Sequence, residues 1–457
     1  MPTTATQLVE GDRLKRLSES DARYWVPVIL IFLGSCLRVF VCFQHNPMNY
    51  LWSDPLAHWI EGTHFPKGGY VGAANPILYQ VYIFFLHKVT GDNKLAIALA
   101  SAVLSVLMPW TFYRAARNFG VGKAAALWVW VLIAWTPSLL TIYHYIMMET
   151  LLLLLEGAAL WMTARYLRKG GTEAFLTAVL FWTLACLTKQ TVILLAATCL
   201  FWGWWKKRPS LRALGAAAVM VFVLLLPQAL RTEIALGFVA PLGNPWLTRI
   251  QHRSGTKILW VDFYTHSNSH FHLQMLPHYM MYFGSPSVEV CPLSPFSSWM
   301  MRRAAGDSKL TITIDSAYGE RDWKRAYEAL HVSSSEWLAQ WRENIIFFFF
   351  APSWPESSVP EWDGKLEYEA RWFWAPLIVL VFVWNLRAFV HRRFDLIPVA
   401  VTLFTLFLAL QNLVTFEGRY RKPLEPLLLL NLVWLLEGGS EAPELHKENM
   451  SVAATNS

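Results

Sequence analysis

The stretch METLLLLLEGAALWMTARYLRKGGTEAFLTAVLFWTLACLTKQT, residues 148–191, decides the fold class of this chain. It contains two apolar runs without strand-like alternation, and a basic turn at residues 165–169 separates them. A helix of about 20 apolar residues crosses the ~30 Å hydrocarbon core of a bilayer. The stretch therefore predicts two antiparallel membrane helices, Ile146–Tyr166 and Ala174–Thr188.

The composition extends this prediction to the whole chain. Of 457 residues, 55% are hydrophobic and only 16% are charged, whereas a soluble domain carries about 25% charged residues. Only helices and closed barrels span lipid. We therefore expect an all-α membrane protein, a polytopic bundle of about ten transmembrane helices. The other predicted spans are Tyr24–Phe43, Lys94–Tyr113, Ala124–Thr141, Thr191–Trp205, Leu211–Leu230, Trp372–Val390, Leu396–Thr415 and Leu424–Leu436.

Basic residues orient this bundle in the membrane. With ten spans, every large basic cluster falls on one side, which the positive-inside rule makes cytoplasmic. The predicted order is then a cytoplasmic tail (1–23), a transmembrane module (24–230) with a first outer loop (44–76), a non-cytoplasmic loop domain (231–371), C-terminal helices (372–437) and a second cytoplasmic tail (438–457). The run Ile77–Leu86 is too short to cross and is assigned to the interface or to a re-entrant segment.

Several cations depart from this orientation rule. Arg419, Arg421 and Lys422 lie in a turn that the topology places outside. Binding an anionic headgroup would explain them, and a miscounted span is the alternative. Lys189 interrupts an apolar stretch at the same side, and Arg38 lies near the outer end of the first span, either snorkelling or functional.

Three carboxylates lie close to the predicted outer surface. Asp54 is flanked by tryptophans and by Pro55, which would partly desolvate it at the water boundary, a setting that tunes a carboxylate into a base. Glu149 and Glu156 are seven residues apart and share a helix face. For these two we favour structural pairing with Arg38 or Lys189.

Metal binding and disulfide bonding receive little support from the pattern. Four histidines at positions 266, 270, 272 and 278 cluster in the large loop, but no Asp or Cys pattern accompanies them, so surface or substrate contacts are favoured. The five cysteines form neither a disulfide framework nor a zinc spacing. No metal ligands are assigned, although a divalent metal remains possible. In the same loop, residues 322–345 have helical spacing, with Ser334 or Ser335 as a helix cap.

Five motifs in this order resemble those of a known family. They are the first-loop Asp54, the Asn-Pro-x-x-Tyr sequence at 75–79, METLLLLLEG, LACLTKQT and the closing EGRYRKPLEPLLLL. Together they resemble the GT-C superfamily of polyprenyl-phosphate-sugar-dependent glycosyltransferases, and most of all the bacterial members related to protein O-mannosyltransferases and lipid A aminoarabinose transferase. The resemblance runs discontinuously from Arg38 to Leu436.

The resemblance implies an inverting transfer of a sugar from a lipid-phosphate donor to a lipid, glycan or protein acceptor on the non-cytoplasmic face. The protein would then be a multi-pass protein of a bacterial inner membrane, with its site facing the periplasm or exterior. Pro55 departs from the pattern, because many relatives carry a second acidic residue there. The implied roles are Asp54 as catalytic base, Lys189, Arg419 and Arg421 at the donor phosphate, and Tyr79 as a substrate contact. We also assign Arg38 to the donor phosphate, and His58, Tyr420 and Glu149 to substrate binding.

Two other functions remain open at this point. A transporter or flippase of a lipid-linked sugar would use the same outer cations, but the chain shows no paired, broken helices in matching halves. A non-catalytic membrane subunit of a glycan assembly pathway would keep the fold without the chemistry, and Pro55 is compatible with it. The net charge of +7 lies mostly at the ends of spans, which points to membrane orientation and not to nucleic acid.

Overall fold

A computed structural model provides the structure of the chain. The residues that it describes are 4–51, 53–66, 75–236, 239–243, 259–264, 270–275, 279–283, 361–411 and 418–437. The predicted helix at 322–345, its serine caps, His266 and His278 lie outside these residues.

The described part is mainly a bundle of α-helices. In the N-terminal half they are α1 (Thr4–Gln44), α2 (Ser53–Thr63), α3 (Ile77–Thr90), α4 (Lys94–Asn118), α5 (Lys123–Trp135), α6 (Pro137–Thr141), α7 (Met148–Lys169), α8 (Thr172–Thr188), α9 (Ile193–Lys207) and α10 (Leu211–Leu236). In the C-terminal part they are α11 (Glu361–Val390), α12 (Leu396–Gln411) and α13 (Leu424–Leu436). Short 3₁₀ turns occur at Pro47–Asn49, Ile142–His144, Gln190–Val192 and Gly418–Arg421.

A membrane-helical fold is confirmed by helix length and composition. Among the described residues, five helices are long and apolar enough to cross a membrane, and the bent pair formed by α5 with the segment from Pro137 to His144 would make a sixth. The helices α8, α12 and α13 are apolar but shorter. The count of ten spans therefore stays a prediction. Helix α3 has 14 residues and does not reach the length of a span.

A small antiparallel sheet adds to the predicted all-α class. Its strands are β1 (Leu259–Tyr264), β2 (His270–Met275) and β3 (Tyr279–Phe283), in the order β1-β2-β3. In the register, His272 lies opposite Asp262 and Tyr282. The spacing of His270 and His272 thus belongs to a strand.

A helix break at Pro137 shapes the centre of the bundle. The two segments on either side of the break meet at 67°. Proline has no N–H, so Pro137 cannot donate a helical hydrogen bond to the carbonyl of Ile133, four residues earlier. The carbonyl of Ala134 lies in the same final turn of α5, where helical donors end. Buried carbonyls at this depth need another donor, because lipid offers none.

Arg38 supplies those donors. Its side chain is fully buried, with Nε 2.9 Å from the oxygen of Ala134 and Nη2 2.7 Å from the oxygen of Ile133. Nη1 donates to the carbonyl and the hydroxyl of Ser105 on α4, at 3.1 and 3.0 Å. The guanidinium therefore joins α1, α4 and the broken end of α5.

The residue after the break connects the C-terminal helices to the bundle. Ser138 Oγ donates to Glu425 Oε2 at 2.7 Å and accepts from Trp374 Nε1 at 3.0 Å. The carbonyl of Ser138 accepts a hydrogen bond from Lys422 Nζ. Trp374 lies on α11 and Glu425 on α13, and both side chains are fully buried. The buried polar groups of Ser138, just after the break, thus form hydrogen bonds with residues that are distant in sequence.

Helices α4 and α7 pack closely because α7 carries Gly157. A Cβ atom at that position would lie 2.9 Å from ring carbons of Phe112 and would also collide with Thr111. Only glycine admits this approach without a shift of one helix. The close contact holds the middle of α7 against α4, and the first turn of α7 carries part of the candidate site.

We predict that Arg38→Met destabilises the protein by about 3 kcal/mol or more, since it leaves buried carbonyls without donors. Arg38→Lys should recover only part of the loss, because one ammonium cannot reach carbonyls on two helices in the fork geometry of a guanidinium. Thermal unfolding followed by tryptophan fluorescence measures both. An unchanged melting temperature together with weaker binding of polyprenyl phosphate would instead assign Arg38 to the donor phosphate.

Candidate functional site

One face of α2 carries three ionisable side chains. Asp54, His58 and Glu61 follow one another at four and three residues, so they lie on the same side of the helix. Asp54 is half-buried in the first turn, where the helix dipole stabilises a carboxylate. His58 and Glu61 are buried, and His58 Nδ1 lies 3.9 Å from Glu61 Oε2.

The first residue of the Asn-Pro-x-x-Tyr motif, Asn75, forms hydrogen bonds with the carboxylate of Glu61. Asn75 Nδ2 donates to both oxygens of Glu61 at 3.1 Å, and Gln80 Nε2 donates to Oε2 at 3.1 Å. The carbonyl of Asn75 accepts from Gln228 Nε2 on α10 at 3.2 Å. Glu61 was missed by sequence reasoning, although its position seven residues after Asp54 on a short amphipathic helix was a usable signal.

Tyr79 connects α2 to the start of α7. Its ring packs edge-on against His58 with centroids 5.5 Å apart, and its hydroxyl forms a hydrogen bond with the side chain of Thr150. Desolvation by burial raises the pKa of Tyr79 well above its usual value. The phenol is therefore neutral over the physiological pH range and remains a hydrogen-bond donor.

Glu149 and Lys189 form an ion pair at the same end of the bundle. Lys189 Nζ donates to Glu149 Oε1. Glu149 lies in the first turn of α7, and Lys189 directly follows the last residue of α8, so each charge is at the helix end whose dipole favours it. The expected structural partner of Glu149 is thus Lys189.

Tyr420 extends the site to the C-terminal turn. Lys189 Nζ lies 4.9 Å from the centre of the Tyr420 ring, a cation–π contact. Six predicted site residues therefore form one continuous band. They lie on α2, α3 and α7, just after the end of α8, and in the 3₁₀ turn Gly418–Arg421. We call Asp54, His58, Tyr79, Glu149, Lys189 and Tyr420 the polar strip.

Glu156 does not join the polar strip. It is fully buried on α7, and neither carboxylate oxygen has a hydrogen-bond partner among the residues that the structure describes. In the part of the chain that the structure describes, Glu156 therefore does not form the pair with Arg38 or Lys189 that the sequence predicted. The guanidinium of Arg38 is instead bonded to carbonyls, and the ammonium of Lys189 to Glu149.

Arg421 is buried and bonded to a carboxylate. Its Nε donates to Glu425 Oε1 at 3.0 Å, and the side chains are 1% and 0% exposed. Glu425 also accepts from Ser138 at the helix break. The side chain of Arg419 lies outside the described residues. The closing motif is thus bound into the core at Arg421 and reaches the strip at Tyr420.

Arg231 is a further cation that sequence reasoning did not single out. It lies near the end of α10 with its guanidinium 5.4 Å from the centre of the Phe65 ring, and it interacts electrostatically with Glu61. Its buried Nη1 and Nη2 have no hydrogen-bond partner among the described residues. Arg231 directly follows the predicted seventh span, at the boundary with the non-cytoplasmic loop.

A comparison with protein families can be set against this geometry. Residues 74–229 match the family described as dolichyl-phosphate-mannose-protein mannosyltransferase. This match supports the GT-C superfamily. It confirms the resemblance inferred from the motifs and indicates a multi-pass membrane glycosyltransferase of the GT-C type. A search of curated proteins found no significant match.

The matched segment contains only part of the polar strip. It begins just before Asn75 and includes Tyr79, Glu149 and Lys189, whereas Asp54 and Arg421 lie outside it. Among the described residues, no group of three His, Cys, Asp or Glu side chains is arranged to hold a metal ion. The roles of individual residues therefore depend on the geometry described above.

We predict that Arg421→Ala costs about 3–5 kcal/mol of stability, because it removes the guanidinium that pairs with the buried Glu425 carboxylate. The double variant Arg421→Met/Glu425→Gln should recover most of this loss. Arg165→Ala is a matched control, since its pair with Glu173 is exposed and worth at most about 1 kcal/mol. Thermal unfolding of the purified proteins measures all three. Normal stability combined with loss of polyprenyl-phosphate binding would favour the phosphate role implied by the resemblance.

Proposed function

We propose that this protein transfers a sugar from a polyprenyl-phosphate donor to an acceptor hydroxyl, with inversion at the anomeric carbon. The observation that carries the proposal is the polar strip, in which a half-buried carboxylate and a buried cation share one end of a membrane bundle. The family match over residues 74–229 supports the same reaction class. The acceptor is a lipid, a glycan or a protein.

In this reaction Asp54 acts as the general base. The acceptor oxygen forms a bond to the anomeric carbon as its proton passes to the Asp54 carboxylate, and the bond from that carbon to the phosphate oxygen breaks. The products are the glycoside, polyprenyl phosphate and protonated Asp54. A base must be within reach of the acceptor hydroxyl, and Asp54 is half-buried in the first turn of α2, which leaves part of its carboxylate accessible.

Cations stabilise the phosphate that leaves. Lys189 is held at the strip by Glu149 and by the Tyr420 ring, so its ammonium is oriented before the donor arrives. Arg231 adds a guanidinium whose terminal nitrogens lack partners among the described residues. A guanidinium can bind two phosphate oxygens at once. Both cations would counter the charge that develops on the leaving phosphate.

The aromatic members of the strip would contact the sugar. Tyr79 presents a neutral phenol beside His58, and Tyr420 lies over Lys189. Such side chains combine an apolar face with a hydrogen-bonding tip, which suits a hydroxylated ring. The lipid tail of the donor would remain in the bilayer, which explains a site at the end of membrane helices instead of in a soluble domain.

We predict that Asp54→Asn lowers transfer by about 10²–10⁴-fold, because the amide keeps the size of the side chain and removes its basicity. Asp92→Asn is the control, since Asp92 is an exposed acid that pairs with His87. The assay follows release of polyprenyl phosphate from a panel of polyprenyl-phosphate sugars, mannose first. Undiminished turnover in Asp54→Asn at normal expression would refute the role of the base. Wild-type turnover of none of these donors would favour the transporter or the non-catalytic subunit.

We also predict that Lys189→Met weakens binding of polyprenyl phosphate by about tenfold or more, through loss of a desolvated charge-assisted contact. Lys94→Met is the matched control, because Lys94 is an exposed lysine at the start of α4 whose ammonium donates to Asn49 Oδ1. Binding is measured with the purified proteins in detergent. Equal affinity in Lys189→Met and wild type would leave Lys189 with its structural role toward Glu149 alone.

A further inference from the structure

A second cluster of cations lies at the opposite end of the same helices. Arg114 and Arg117 project from the last turns of α4, and Arg168 and Lys169 end α7. These four side chains, with Tyr113 and Asn118, line one open cavity of about 310 Å³. We call this cavity the basic pocket.

The basic pocket is distinct from the polar strip. Glu149 and Arg168 are 19 residues apart on α7, which places them about 29 Å from each other along the helix axis. That separation is close to the thickness of the hydrocarbon core. The pocket therefore lies at the other membrane surface, which the positive-inside rule makes cytoplasmic.

The side chains that α4 contributes to the wall of the basic pocket are held by contacts within the protein. Arg114 lies over two tryptophan rings, 5.7 Å from the centre of Trp110 and 4.7 Å from that of Trp161. Arg117 Nη1 donates to the carbonyl of Val121 at 2.6 Å, and Asn118 Nδ2 donates to the carbonyl of Arg114 at 2.8 Å. Stacked and bonded guanidiniums lose less entropy on binding an anion than free side chains do.

The charge of the pocket is one-sided. None of the six residues that line it is acidic. Two described carboxylates at this end have other partners: Glu437 accepts from the N–H of Gly122, and Glu173 lies 4.0 Å from Arg165. Simple orientation signals need only cations near the surface, whereas here cations of two helices converge on one cavity with half-buried arginines at its wall.

We propose that the basic pocket binds a phosphate-bearing anion at the membrane surface opposite the polar strip. Four cations with two planar guanidiniums suit phosphate oxygens, and basic pockets between membrane helices are typical sites for anionic lipid headgroups. The phosphate can belong to a lipid headgroup or to a soluble phosphoester. Neither source depends on the transfer reaction proposed above.

The test uses the full-length protein in neutral detergent and native mass spectrometry. Phosphatidylglycerol and phosphatidylcholine are titrated onto the wild type and onto Arg168→Gln/Lys169→Gln. The control is Lys206→Gln/Lys207→Gln, which removes two exposed cations from the last turn of the neighbouring helix α9 at the same surface. In a second arm, inorganic phosphate is tested by thermal shift and as a competitor for phosphatidylglycerol.

We expect the wild type to prefer phosphatidylglycerol, and the pocket variant to lose about fivefold in affinity per cation removed while the control keeps wild-type affinity. Binding of inorganic phosphate without any preference for phosphatidylglycerol would assign the pocket to a soluble phosphoester. Equal losses in both variants, or no binding of either probe by the wild type, would overturn the proposal. Arg168 and Lys169 are exposed, so the variant should fold. Each single substitution should lower the affinity for phosphatidylglycerol by about fivefold.

Discussion

The hydrogen bonds from Arg38 to the carbonyls left open at Pro137 are the interaction on which the rest of the structure depends. Inside a bilayer no water can satisfy those carbonyls, so a helix can break at this depth only where the protein supplies donors. Arg38 supplies them from α1 and also bonds Ser105 on α4. The residue that follows the break, Ser138, then forms hydrogen bonds with Trp374 on α11 and Glu425 on α13, and its carbonyl accepts from Lys422 just before α13. The N-terminal and C-terminal helices thus meet at one unwound segment.

The same break determines where the candidate site begins. After α6 and a 3₁₀ turn the chain re-enters the bundle as α7, whose first turn carries Glu149. Glu149 meets Lys189 where α8 ends, and both charges are supported by the dipoles of their helices. An incoming phosphate would compete with a carboxylate for this ammonium. In the proposed reaction, Glu149 would hold the ammonium in position, and the donor phosphate would have to bind the ammonium in competition with Glu149.

The first loop is organised around a carboxylate that is not itself the predicted base. Glu61 accepts from Asn75 and Gln80 and fixes the start of α3, which places Tyr79 against His58. Asp54 lies on the same face of α2 and remains half-buried. In the proposed reaction, the hydrogen bonds of Glu61 would hold α2 in place and so keep Asp54 correctly positioned toward the substrate. Asp54 itself must remain accessible to the acceptor.

The amino-acid sequence by itself determined the membrane-helical class, the approximate positions of the helices and the resemblance to GT-C enzymes, because apolar length and charge at helix ends are local properties. It also supported a structural partner for Glu149. Only the tertiary structure decided that Arg38 is bound into the core, and which polar groups meet across distant elements, as with Glu61 and Asn75. The physical reason is that a buried charge must find partners, and the fold, not its neighbours in sequence, determines which groups are within reach.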